Sequence, residues 1–193
     1  MESKSSDNFL TICFAIGLLL LAVVYGSGAM KGIPSDANLL QSGPSASGAS
    51  VVGGPSLSAQ KVDAILSRAG SPASGTGQTF YNDSLTYSID DVYALAFFKH
   101  ESTFGLYGAA RETLGIGNIN CTAGYACIGR FRSYGSWQAG IDDWYRLISG
   151  PAYAGGGLTT LSQIIPKYAP SSENSPVDYI AAVQADVTSW RSA

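Results

Sequence analysis

One glutamate carries the most chemical promise in this chain. Glu101 closes the run IDDVYALAFFKHE, and at helical spacing it shares a face with Phe98, Phe97 and Ala94 at i−3, i−4 and i−7. A carboxyl at the end of an apolar stripe is desolvated, and desolvation favours the neutral acid. An acid still protonated near neutral pH can hand its proton to a departing glycosidic oxygen. The competing reading is a helix-end glutamate turned to water. His100 is set aside as a catalyst or ligand, because adjacent helical residues point about 100° apart and it has no second metal ligand nearby. Three Cys and one His leave no zinc site of Cys and His alone, and the chemistry of Glu101 calls for no cofactor.

The remaining candidates lie after this helix. Cys121 and Cys127 sit six positions apart in the Gly-rich stretch GIGNINCTAGYACIGRFRSYGS. In an exported segment such a pair forms a disulfide, and closing so short a loop contributes roughly 2 kcal/mol in the chain-entropy model. Tyr125 and Tyr134, in the same stretch, are candidates for a sugar cleft. Trp137, Trp144 and Trp190 follow helical spacing and are expected in the core. Asp142 and Asp143 fall early in a helix, where negative charge suits the dipole, and are read as structural.

These residues need a scaffold, and the helical signals supply one. The expected fold is mainly α with a small β lobe, over residues 57–193. Ser58 caps a helix through Val62, Ile65 and Leu66 to Gly70, and GSPASGTG follows as a loop. Ser88, with Asp91 three residues on, makes a capping-box pattern that opens the Glu101 helix, with Gly105 as its stop. Ser136 opens a helix carrying Trp137, Ile141, Trp144 and Ile148. Thr160 starts a short one that Pro166 bends or ends. Ser175 and Pro176 cap and begin a last helix with Ile180, Val183, Val187 and Trp190 on one face. The stretch between Phe104 and Ser136 lacks helical period and predicts two or three short strands or an irregular lobe.

The first 56 residues differ in kind. After the tail 1–8, residues 9–26 read FLTICFAIGLLLLAVVYG without a charge, near the lower length limit for a membrane-spanning helix. A retained anchor is the preferred reading. A signal cleaved near Ser27-Gly28-Ala29 is the alternative, in which case the product is secreted. Cys13, inside this run, reads as a small hydrophobe. Residues 27–56 are rich in Gly, Ser, Ala and Pro, a composition that cannot bury enough apolar surface to offset its ordering entropy, and so predict a disordered linker. Either export reading places residues 57–193 outside the cytoplasm. The net charge of −3 argues against a nucleic-acid partner, and nothing in the sequence speaks to oligomeric state.

The runs FFKHESTFG, LGIGNINC, FRSYGSWQAGIDDWYRLI and IIPKYAPSSENSPVDYIAAV, in this order, resemble the lysozyme-like endo-β-N-acetylglucosaminidases, a family of peptidoglycan hydrolases. The similarity spans about Leu57 to Arg191. It implies that Glu101, within a pattern like x-E-S-x-[FW]-G, is the general acid. It also implies that Gly117-Asn118-Ile119 lines the cleft and that Tyr168-Ala169 forms an aromatic wall of the sugar groove. The pattern Phe131 to Trp137 would link the β lobe to the next helix.

The chain departs from the family in one respect. Many members carry a second acidic residue on the β lobe, yet no Asp or Glu lies between Glu112 and Asp142. Three solutions stay open: Glu112 swings in, the substrate's acetamido group acts as nucleophile, or Glu101 serves alone as in lytic transglycosylases. The single-acid route, with Tyr168 or Tyr134 steadying the positive transition state, is favoured. The expectation is a membrane-tethered hydrolase of β-1,4 bonds in peptidoglycan strands, with Asn118, Tyr125, Tyr134 and Tyr168 binding substrate. The alternatives are a catalytically silent glycan-binding module and a lytic transglycosylase.

Overall fold

Eight residues in a row with no solvent contact organise this domain. The computed structural model describes residues 48–172 and 175–193, and within them Asp91 to Phe98 are all buried. They form most of helix α3 (Asp91–Ser102), a stretch that other elements cover on every side before Lys99 and His100 reach the surface. Helices α1 (Ala59–Arg68) and α2 (Gly77–Tyr87) precede it, and a single turn, α4 (Ala110–Thr113), follows. Strands β1 (Cys127–Ile128) and β2 (Phe131–Arg132) make an antiparallel pair, Cys127 opposite Arg132 and Ile128 opposite Phe131. Helices α5 (Trp137–Ser149), α6 (Leu161–Tyr168) and α7 (Pro176–Ser192) complete the domain. Helix α2 packs on α1, α3 and α5, and α7 packs on α3 and α6. The fold is therefore mainly helical with very little strand. None of the described helices is long and apolar enough to cross a membrane. The expected anchor at 9–26 and most of the expected linker lie outside the described residues.

Several helix starts follow their local chemistry. The hydroxyls of Ser58, Ser136 and Ser175 accept from the third backbone N–H of α1, α5 and α7. Thr160 and Gln163 close a reciprocal capping box on α6, and Pro166 sits inside that helix without ending it. On α7 the fully buried face is Tyr179, Val183 and Val187, with Ile180 and Trp190 packed at its margin.

Three expectations need correction. The cap of α3 is Asp90, whose carboxylate accepts from Val92 N–H, and not Ser88. Ser88 instead closes α2 in the left-handed conformation (φ 54°), and Ile89 forms a bridge to Val52. Helix α2 itself has no counterpart in the sequence reading: its fully buried side is only Gly77, Phe80 and Ser84, too few apolar positions to make a stripe. Packing also begins before Leu57. Ser50 bridges Thr160, and Val51 is buried in the core, exchanging backbone bonds with Thr159 and Asp90. Residues 50–56 are thus part of the fold, although their composition resembles linker.

This leading segment is fastened to the start of α3. Ser56 N–H donates to Asp90 (3.2 Å) and to Asp91 (2.9 Å), and Leu57 N–H donates to Asp91 (3.1 Å). Arg191, from the end of α7, binds the other oxygen of Asp90. Burial, together with the hydrogen bond to Asp90, pushes the Asp91 carboxyl up to about 7, against the lowering effect of the Leu57 and Ser56 amides. A folded pKa above the unfolded value means that the native state holds this proton more tightly. The contribution of Asp91 to stability is therefore fully present at low pH and fades as pH rises through about 7. Asp91→Asn keeps an acceptor for the two amides and gives Asp90 a permanent donor. It should melt a few degrees above wild type at about pH 8 and level with it at about pH 4, as read by thermal denaturation at the two pH values.

Candidate active site

Glu101 comes to the surface one residue before α3 stops. Thr103, Phe104 and Gly105 all have positive φ (51°, 59° and 79°), so the chain reverses sharply behind it. Ser102 Oγ accepts from Gly105 N–H, and Ser71 Oγ donates to the Phe104 carbonyl at 2.7 Å, which pins the turn. Gly105 is required twice over. Its φ is left-handed, and a Cβ there would lie 2.5 Å from the Trp137 ring.

The half-buried Glu101 carboxyl meets two donors. Tyr179 Oη donates to Oε1 at 2.7 Å from α7, and Asn118 Nδ2 donates to Oε2 at 3.1 Å. Asn118 also reaches the Glu101 carbonyl at 3.3 Å. Its φ is +45°, a conformation that Asn tolerates better than most side chains. The preceding Gly117 is wedged against α5 and α6: a Cβ would lie 2.3 Å from Trp144 and 2.4 Å from Tyr168 Oη. That hydroxyl donates to the Gly117 carbonyl at 2.5 Å, fixing the backbone that presents Asn118. Below them Phe97, one turn before Glu101, packs on Trp144, Tyr168 and Tyr179 with ring centroids 5.2, 5.1 and 5.5 Å away.

The electrostatics follow from this geometry. Burial raises the Glu101 carboxyl above its ordinary range, and the bonds from Tyr179 and Asn118 oppose the rise by favouring the charged form. Burial and then the nearby Glu101 charge push the phenols of Tyr168 and Tyr179 well up, so both remain donors. The site thus offers one proton-holding carboxyl against an aromatic floor. Its Glu101 is buried on one side as the apolar stripe implies, not turned fully to water.

The other expected site residues are distributed unevenly. Asn118 touches Glu101, and Tyr168 is tied in through Gly117. Tyr125 and Tyr134 point their hydroxyls at Asp143 instead, at 3.1 and 2.7 Å. Arg132 pairs with the same carboxylate at 2.8 Å and lays its guanidinium 3.7 Å from the Tyr125 ring centroid. Asp143 therefore locks the β lobe onto α5. Its structural reading stands for this reason more than for any helix dipole. With its hydroxyl engaged there, Tyr134 is a poor choice to steady a transition state at Glu101. Cys121 and Cys127 are joined as a disulfide (Cα–Cα 5.9 Å) in the same lobe, where the Cys121 N–H also bonds the Arg130 carbonyl. Glu112 is exposed on α4, and Asp142 is engaged by Tyr87 and Arg146. No group of described His, Cys, Asp or Glu side chains is arranged to hold a metal ion.

Tyr179 is the residue that the sequence reading missed. A signal was present, since Tyr179 lies four before Val183 and eight before Val187, on the buried face of α7. A tyrosine on such a face needs a partner for its hydroxyl. No protein-family model matches this chain, and no curated protein matches it.

Removing either donor should raise the Glu101 pKa further, because each stabilises the charged form. Tyr179→Phe and Asn118→Ala should each shift the titration of the Glu101 carboxyl carbon upward in ¹³C NMR, with the fold retained. A downward shift or none would contradict the assigned hydrogen bonds.

Proposed function

We propose that this chain is a glycosidase that cuts β-1,4 bonds in peptidoglycan glycan strands, with Glu101 as general acid. The observation that carries the reading is the Glu101 carboxyl itself, raised by burial at the end of α3 and held by Tyr179 and Asn118. Such a group is protonated where an ordinary glutamate is ionised, and it can protonate the leaving oxygen as the glycosidic bond breaks. The oxygen leaves as a hydroxyl, and the sugar carbon passes through an oxocarbenium-like state. Glu101, now charged, is stabilised by its two donors until it takes a proton back. The resemblance to lysozyme-like endo-β-N-acetylglucosaminidases supports the same substrate class. The uncharged run 9–26 supports a membrane anchor, with the domain outside the cytoplasm and working on wall close to the membrane.

One observation favours a particular second step. The lobe-facing carboxylate Asp143 is held by Arg132, Tyr125 and Tyr134 and is not available as base or nucleophile. This supports a single-acid route in which Glu101, once deprotonated, removes the proton of a sugar hydroxyl that closes on the anomeric carbon. That is lytic transglycosylation, and its product weighs one water less than the hydrolysed end.

The test incubates the oxidised protein and its Glu101→Gln variant with purified peptidoglycan and analyses the released material by mass spectrometry. Wild type should release fragments, and the variant should be slower by about 10³-fold or more. Anhydro ends would assign transglycosylation, and reducing ends hydrolysis. Equal release by both proteins would overturn the role of Glu101. Binding without release by either would make the domain a glycan-binding module.

A further inference from the structure

We infer that His100 is a positioning residue for Glu101 and acts through Tyr179, whose ring it stacks upon. The inference rests on the reading of Glu101 as the working acid, but its first readout does not require turnover. Three residues of one α3 face grip the same tyrosine. Phe97 meets its ring at 5.5 Å with the planes tilted by 51°, His100 stacks on it at 3.7 Å and 16°, and Glu101 takes its hydroxyl hydrogen at 2.7 Å. These positions are i, i+3 and i+4, which share one face of a helix. A helical neighbour of Glu101 cannot reach its carboxyl directly, but a side chain from α7 that spans both residues links them.

The three contacts do different work. The tilted contact with Phe97 fills space and leaves the ring plane free. The hydrogen bond to Glu101 fixes the oxygen. The near-parallel stack with His100 fixes the plane, and a phenolic O–H prefers to lie in the plane of its own ring. The stack therefore aims the donor at Oε1. It also restrains the swing of the side chain that would carry the oxygen away. Burial pushes the His100 imidazole down, toward its neutral form, and Lys99 adds to this while Asp186 opposes it. Lys99 and Asp186 are themselves paired, and Lys99 lies over the Trp190 ring. The stack is thus a contact between two neutral rings, and a phenyl ring can replace the imidazole in it.

The experiment compares the full-length protein with His100→Ala and His100→Phe. His100 covers Tyr179 with one ring face and leaves its outer side exposed at the domain surface, so both variants should fold. The Glu101 carboxyl is followed by ¹³C NMR in protein labelled at glutamate. The chain has four Glu, and Glu101→Gln identifies the resonance. His100→Ala should move the Glu101 titration upward, in the direction of Tyr179→Phe, and His100→Phe should return it to the wild-type position. Adding His100→Ala to Tyr179→Phe should shift nothing more, because the two changes remove one interaction. On soluble peptidoglycan fragments, kcat should fall about tenfold in His100→Ala with KM within about twofold of wild type, and should recover in His100→Phe. An unmoved Glu101 titration in His100→Ala would overturn the inference, as would a shift that His100→Phe fails to rescue. A shifted and rescued titration in a protein that cleaves no glycan would uphold the positioning role and reject only the glycosidase reading.

Discussion

The burial of α3 on all sides from Asp91 to Phe98 leaves its two ends as the places where polar groups must be satisfied. A helix surrounded by protein cannot hand its terminal donors and acceptors to water, so each end needs partners from elsewhere in the chain. At the start, Asp90 caps the helix while Asp91 gathers the amides of Ser56 and Leu57. At the other end, Ser102 closes the turn and Glu101 meets Tyr179 and Asn118. The same apolar run that builds the core thus brings a carboxyl to the boundary between protein and solvent, where its proton is held more firmly than in water.

Partners at both ends come from distant parts of the sequence, which makes α3 the hub of the fold. Helix α7 contributes at each end, through Arg191 to Asp90 and through Tyr179 to Glu101. The loop after α4 brings Asn118, and its path depends on Gly117 fitting against Trp144 and Tyr168. The β lobe is secured separately, by the disulfide and by the buried Asp143 with Arg132, Tyr125 and Tyr134. The two carboxylates are therefore distinguished by their partners. Asp143 is paired with the Arg132 guanidinium, whereas Glu101 meets the neutral donors Tyr179 and Asn118, and burial raises its carboxyl.

What the sequence made legible was the local chemistry. Ser58, Ser136 and Ser175 mark helix starts because a cap acts over three residues, and Glu101 stands out because it closes a long apolar run with Phe97 and Phe98 at helical spacing. Helix α2 was hidden because GQTFYNDSLTY has one large buried apolar residue, Phe80, and its helicity comes from packing on α1, α3 and α5. Ser88 fits the capping-box pattern by spacing alone, but the left-handed end of α2 occupies that place and Asp90 takes the role. Residues 50–56 read as linker by composition, and only their pairing with Thr160, Ile89 and the α3 aspartates makes them part of the domain. Within the site, Glu101, Asn118 and Tyr168 were legible from motif resemblance. Tyr179 and its stack on His100 were not, because they exist only through the packing of α7 on α3.

The central claim is that Glu101 is a neutral acid under conditions where free glutamate is a carboxylate. An infrared difference spectrum between the wild-type protein and Glu101→Gln reads this directly, through the C=O stretch of a protonated carboxyl. An ordinary glutamate is almost wholly ionised by about pH 6. The account predicts that the protonated band belonging to Glu101 persists to higher pH than that of a free glutamate side chain recorded in the same buffers. A Glu101 band that disappears at or below the pH at which the free side chain ionises contradicts it.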